Sequence, residues 1–221
     1  MRNKGKVLVL MLSAAALVAA SVFCTMAYLT DEEAVTNTFT VGKVGLTLDE
    51  ADVNPDGTYV TDKNDRVQEN EYHLLPGYTY IKDPTVHVSE DSEECYLFVK
   101  VENGIEAIET TDTKKTIAGQ MNELGWVEID PTNNIYVLAK GEDDAKFQYT
   151  VFAGAHAVVF NEFTIDGDGV VYELDEKGEP VDNAKNLAKY TDAKVIVTAY
   201  AVQAAGFDNS KVAWEATFGK N

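Results

Sequence analysis

Two stretches limit what this chain can fold into. Residues 94–101 (ECYLFVKV) put Cys95, Leu97, Val99 and Val101 on one face of an extended segment and Tyr96 and Phe98 on the other. Side chains alternate across a strand, so a segment apolar in both phases must be covered on both sides. Residues 193–203 (AKVIVTAYAVQ) have the same texture. Two such strands call for a layered β structure with a filled interior.

The rest of the chain supplies the other strands. Leu74-Leu75-Pro76-Gly77 opens a β region, and residues 78–88 form one or two strands broken near Asp83-Pro84, because proline gives no ladder donor. Residues 113–124 predict a short helix stopped at Gly125, followed by strands near 126–129 and 135–138. An apolar region runs from 147 to 165, and Tyr172-Glu173-Leu174 with Asp175–Gly178 reads as a hairpin. Asp208 is placed to cap a terminal helix over 209–218, with Val212, Trp214 and Phe218 as its apolar anchors. Many short strands, polar turns and little helix predict an all-β fold: a jelly-roll-like β-sandwich with one or two short helices.

The start of the chain reads differently. Arg2, Lys4 and Lys6 precede an apolar run, and Thr25-Met26-Ala27 is a small-x-small pattern, so residues 1–27 predict a signal peptide cleaved between Ala27 and Tyr28. Residues 28–221 are then one domain outside the cell, and the membrane is met only before cleavage. Phe23 is too large for a lipoprotein site at Cys24, and Cys95 is left alone, as a buried small hydrophobe.

The new N-terminus, 28–48, is strand-forming. Phe39 and Val41 share one phase, and Val44, Leu46 and Leu48 share the other, with Gly42-Lys43 between them as a bulge or hinge. Residues 34–41 and 44–48 are thus two separately aimed strands, and the first is free to pair with its own sheet or a neighbour's.

Composition excludes several functions. The chain carries 37 acidic and 18 basic residues, a formal charge of −19, and cleavage would remove three of the basic ones. Nucleic-acid binding needs a basic footprint, which is missing. Such a charge makes copies repel at low salt and approach when salt or divalent cations screen it. His73, His87 and His156 lie in no H-E-x-x-H arrangement, and His87 falls on the polar face of a strand, where solvent contact is expected. There is no G-x-S-x-G and no phosphate-cradling loop. Leu75-Pro76-Gly77-Tyr78-Thr79 lacks the order of a sortase signal. Asp52, Asn54 and Asp56 with Gly57 have the spacing of a calcium loop, but Lys63 stands where a bidentate glutamate is needed, so an acidic turn is expected. The expectation is no catalytic residue, no metal and no cofactor.

Several motifs together resemble the TasA/camelysin family of Gram-positive bacteria. They are the signal MLSAAALVAASVFCTMA, Tyr28-Leu29-Thr30-Asp31, Asn37-Thr38-Phe39 with Gly42 and Val44, Pro76-Gly77 with Lys82-Asp83, and the late strand over 195–207. Residues 103–190 match in texture alone. The resemblance implies export through a SipW-type signal peptidase and a jelly-roll subunit of biofilm matrix fibres. In such fibres the N-terminal strand of one subunit completes the sheet of the next, head to tail, with an accessory assembly protein as a further partner. The donor strand would be Val35, Thr36, Asn37, Thr38, Phe39, Thr40 and Val41. Burying Val35, Phe39 and Val41 supplies about 5–9 kcal/mol per joint, with backbone hydrogen bonds needed besides. Two other functions fit the same composition: a monomeric surface or adhesion module, and a camelysin-like metalloprotease, for which the zinc motif is missing.

Overall fold

The structure is a computed structural model and describes residues 43–219. The fold is all-β, with antiparallel strands and two short helices. Strands β1 (Leu46–Ala51), β2 (Arg66–Val67), β4 (Thr85–Val88) and β8 (His156–Val158) form one sheet in the order β2-β1-β4-β8. Strands β5 (Cys95–Asn103), β6 (Trp126–Asp130), β7 (Ile135–Leu138) and β10 (Val195–Gln203) form a second, ordered β10-β5-β7-β6. A third pair joins β3 (Thr79–Ile81) to β9 (Glu162–Thr164).

The main core lies between the two larger sheets. It takes Leu97, Val99 and Val101 from β5, Val86 and Val88 from β4, and Trp126 from β6. The opposite face of β5 presents Tyr96 and Phe98 to a second cluster, closed by helix α2 (Ser210–Phe218) and the turn Asp143–Gln148. So β5 is covered on both sides, as its sequence requires. Cys95 is buried in the main core, and burial, with Glu94 beside it, pushes its thiol up to about 11. It is an apolar filler there, as expected.

Helix α1 (Ile117–Glu123) is shorter than the expected 113–124 because Thr116 caps it, accepting from the Gly119 N–H at 3.1 Å. It ends at Gly125, whose φ of 92° only glycine adopts readily. The strand expected over 44–48 is β1, which starts at Leu46 and continues to Ala51 because the carboxylates of Asp49 and Glu50 both find partners. The cap of α2 is Asn209, not Asp208: its side chain accepts from Val212 N–H at 3.1 Å. Of the expected anchors, Trp214 packs on Phe98 and Phe218 on Trp214. Val212 points outward, 43% exposed, and Ala213 fills the core in its place. Trp214 and Phe218, four residues apart, share one face of the helix, whereas Val212, two residues before Trp214, lies about 200° around it.

Candidate functional site

β10 pairs with β5 along its whole length, from Val195 opposite Asn103 to Gln203 opposite Cys95. Among the described residues no strand pairs with its other edge. Half of the backbone N–H and C=O groups of an edge strand point away from the sheet, so this edge presents a row of unused donors and acceptors. Val195, Val197, Ala199 and Ala201 lie against the main core but are only partly covered, and Ile196 is 44% exposed.

Strand β1 of the other sheet comes alongside β10. Between them opens a groove of about 1290 Å³, lined by Leu48, Asp49 and Glu50 on one side and Lys194 to Val197 on the other. Two irregular segments flank it. One is the strap over 68–76. The Tyr80 hydroxyl holds it, donating to the His73 carbonyl and accepting from the Leu75 N–H, each at 2.7 Å. Tyr72 of the strap stands edge-on to Phe163, with ring centres 5.1 Å apart, and its hydroxyl donates to the Ile81 carbonyl. Burial, with Glu50 and Asp83 nearby, raises the Tyr72 phenol well above its ordinary range, so it stays a neutral donor. The other segment, 187–193, is pinned by fully buried Asn186, which donates to the Glu173 and Val181 carbonyls and accepts from Ala188 N–H.

The wall of the groove carries buried charge. Glu50 contacts Lys82 at 2.5 Å and accepts from Asn70 at 2.8 Å, so neither ion is left unpaired. Next to it, Arg66 donates to Asp49 at 2.8 Å and to Asp83 at 2.7 Å, tying β2 to β1 and to the start of β4. Partial burial works to raise the Asp49 pKa, but the hydrogen bonds from His87 and Arg66 outweigh it and hold the group below the ordinary carboxylate range. Asp49, Glu50, Glu69, Glu71 and Asp192 line the groove against Lys82 and Lys194, so its rim is acidic. An unpaired edge beside apolar side chains can take up an extended peptide, the edge by backbone hydrogen bonds and the groove by alternate side chains.

The residues singled out in the sequence fall in different places. Ala27, Tyr28, the segment Val35–Val41 (Thr36, Asn37, Thr38, Phe39 and Thr40 between them) and Gly42 lie outside the described residues. Lys43 opens them: its carbonyl accepts from Glu93 N–H at 2.9 Å and its ammonium pairs with Asp91. Ala204, just beyond β10, donates to the Glu94 carbonyl, so the described chain begins near the Gln203 end of the open edge. Asp52, Asn54 and Asp56 do belong to one turn, whose own groups occupy two of the side chains. Asp56 Oδ1 accepts from the Thr58 N–H and hydroxyl, and the Asn54 amide donates toward Thr58. Gly57 completes the turn at φ 82°, where a Cβ would meet Tyr80 at 2.8 Å.

His87 is not simply solvated. Its Nε2 is 2.8 Å from Asp49 Oδ1 and its Nδ1 is 2.7 Å from Nδ1 of His156, directly opposite on β8. Sequence reading missed this cluster and the groove alike. Both are assembled from strands distant in the chain, and the only local sign was Asp49 and His87 in the same strand phase as their neighbours.

No family model matches the chain, and no curated protein matches it.

Proposed function

We propose that the chain is a secreted structural subunit that polymerises by strand donation, and that its sandwich is a jelly roll of the TasA-like kind. Residues 35–41 of one copy would enter the groove between β1 and β10 of the next. The observation that carries this reading is the unpaired edge of β10 lying beside partly covered apolar side chains. The donor segment joins the described chain near the Gln203 end of that edge. Head-to-tail donation does not close on itself and yields filaments. Export by a SipW-type peptidase and delivery to the matrix or cell surface complete the proposal.

Negative-stain electron microscopy of residues 28–221, beside a version beginning at Lys43, tests it. Filaments are expected from the longer chain only, and a synthetic peptide of residues 28–42 should bind the shorter one. Monomers from both, at high salt and with calcium, would overturn self-driven assembly. A second reading has support in Tyr72, Tyr172 and Tyr190, which line the groove as a peptide-binding surface would. It is the adhesion module, and it predicts monomers whose groove is empty and takes a foreign extended segment.

A further inference from the structure

The outer face of the β2-β1-β4-β8 sheet brings together groups from three strands. His87 on β4 and His156 on β8 are directly opposed, with Nδ1 atoms 2.7 Å apart and ring centres 4.8 Å apart. Two like nitrogens at this distance share one proton, so at most one of them carries it. Asp49 on β1 contacts Nε2 of His87 at 2.8 Å through Oδ1, the same oxygen that receives the Arg66 Nε–H at 2.8 Å. A carboxylate on Nε2 fixes the proton there and leaves the Nδ1 lone pair aimed at His156. This is the second-sphere arrangement that metal-bound histidines show, a carboxylate behind the ring that orients it and raises its basicity.

We propose that His87 and His156 form a site for a divalent ion of the imidazole-preferring class, zinc above all, with Asp49 as its positioning residue. The two nitrogens of a tetrahedral zinc site lie about 3.3 Å apart, so the rings need to separate by about 0.6 Å. His156 is exposed on the edge strand β8 and is free to make that adjustment. Local charge favours a cation: the two carboxylates of Asp49 and Asp83 face the one guanidinium of Arg66. Among the described residues no third His, Cys, Asp or Glu completes the set, so the remaining positions go to water and the ion stays exchangeable. The site links β4 to β8 on the side of the sheet away from the core. It does not depend on strand donation.

The test is calorimetric titration of the tag-free protein with zinc chloride at pH 7.5, with copper(II) electron paramagnetic resonance as the second readout. One equivalent of zinc is expected to bind, and the copper spectrum should show two coupled imidazole nitrogens. His156→Ala, at an exposed position, should weaken zinc binding at least tenfold and remove one nitrogen from the copper signal. Asp49→Asn should weaken zinc binding about 10–100-fold while both nitrogens remain. His73→Ala should change nothing. Equal titration curves for the wild type and His156→Ala, or no saturable heat up to millimolar zinc, would overturn the proposal.

Discussion

β5 and β10 have the same length and the same two-faced apolar texture, and they pair residue for residue, yet they end in opposite environments. Six of the β5 hydrophobics are buried, while on β10 only Val202 is. The difference comes from the far edge. β5 has β7 beyond it and a further bridge from Cys95 to Val151, whereas nothing among the described residues lies beyond β10. A strand with a core sequence at a sheet edge is what natural sheets usually avoid, because it invites another chain. Here charges and proline are absent from β10 itself, and Lys194 stands just before it. That open edge is the one the proposed strand donation would use.

The largest effect that tests this contrast is in the aromatic pair across the two strands. Phe98 and Tyr200 are directly opposed and both meet Trp214, at 5.0 and 5.6 Å. Phe98→Ala should lose about 3–5 kcal/mol in urea denaturation, since it empties a closed site. Tyr200→Ala, from the half-covered strand, should lose about 1–2 kcal/mol. Equal losses would mean that β10 is as well covered as β5.

A finer comparison uses two valines. Val101 and Val197 are opposed in register and face the same core, but Val101 is 5% exposed and Val197 is only half-buried. Val101→Ala should cost about 2 kcal/mol, counting roughly 0.8 kcal/mol per buried methylene and a small cavity. Val197→Ala should cost about half of that in the monomer. If strand donation fills the groove, the two costs converge in the assembled state, read as the denaturant midpoint for disassembly and unfolding of filaments. Costs that stay apart would place the incoming strand elsewhere.

A third change should leave stability almost alone. Ile196 is exposed and lines the groove. Ile196→Lys should change monomer stability by less than about 0.5 kcal/mol. It should nevertheless stop filament growth, because a lysine on an edge strand resists addition. Filaments of normal length from this variant would remove β10 as the acceptor.

Side-chain alternation along a strand carries part of this fold and leaves the rest unmarked. The double-sided apolar pattern identified β5 and β10 as strands and implied that both are covered on both faces, which holds for β5 and fails for β10, where Val202 alone is buried. It could not say which of the two had a neighbour on its far edge, since backbone pairing leaves no mark on side-chain alternation. Leu74-Leu75-Pro76-Gly77 read as the opening of a β region and 187–193 carried no signal, and the role of 68–76 and 187–193 as flanks of a groove depends on the Tyr80 hydroxyl and the Asn186 amide, which hold those segments through their backbone groups. Asp49 and Glu50 lie just beyond the strand expected over 44–48. They extend β1 only because Arg66 and Lys82 arrive from elsewhere in the chain. The cap of α2 was misplaced by one residue because Asp208 and Asn209 are both good caps, and only the dihedrals choose between them.

The last expected effect is on stability alone and concerns the β1 wall of the groove. Asp49 has its folded pKa held below the unfolded value by hydrogen bonds from His87 and Arg66 that outweigh partial burial. A carboxylate depressed on folding contributes stability that is complete above its unfolded pKa and is lost as pH falls through the folded one. That contribution is therefore present at neutral pH and is lost progressively as pH falls below about 4. Asp49 is a quarter exposed, so solvent screening limits it to about 1 kcal/mol or less. Denaturation of the wild type and Asp49→Asn at pH 6, 4 and 3 reads it. The variant should be weaker at pH 6 and the gap should narrow as pH falls to 3, because an asparagine still accepts a hydrogen bond but has no charge to lose. A constant gap at all three values would mean that Asp49 acts by packing, and that Arg66 holds β2 through Asp83 alone.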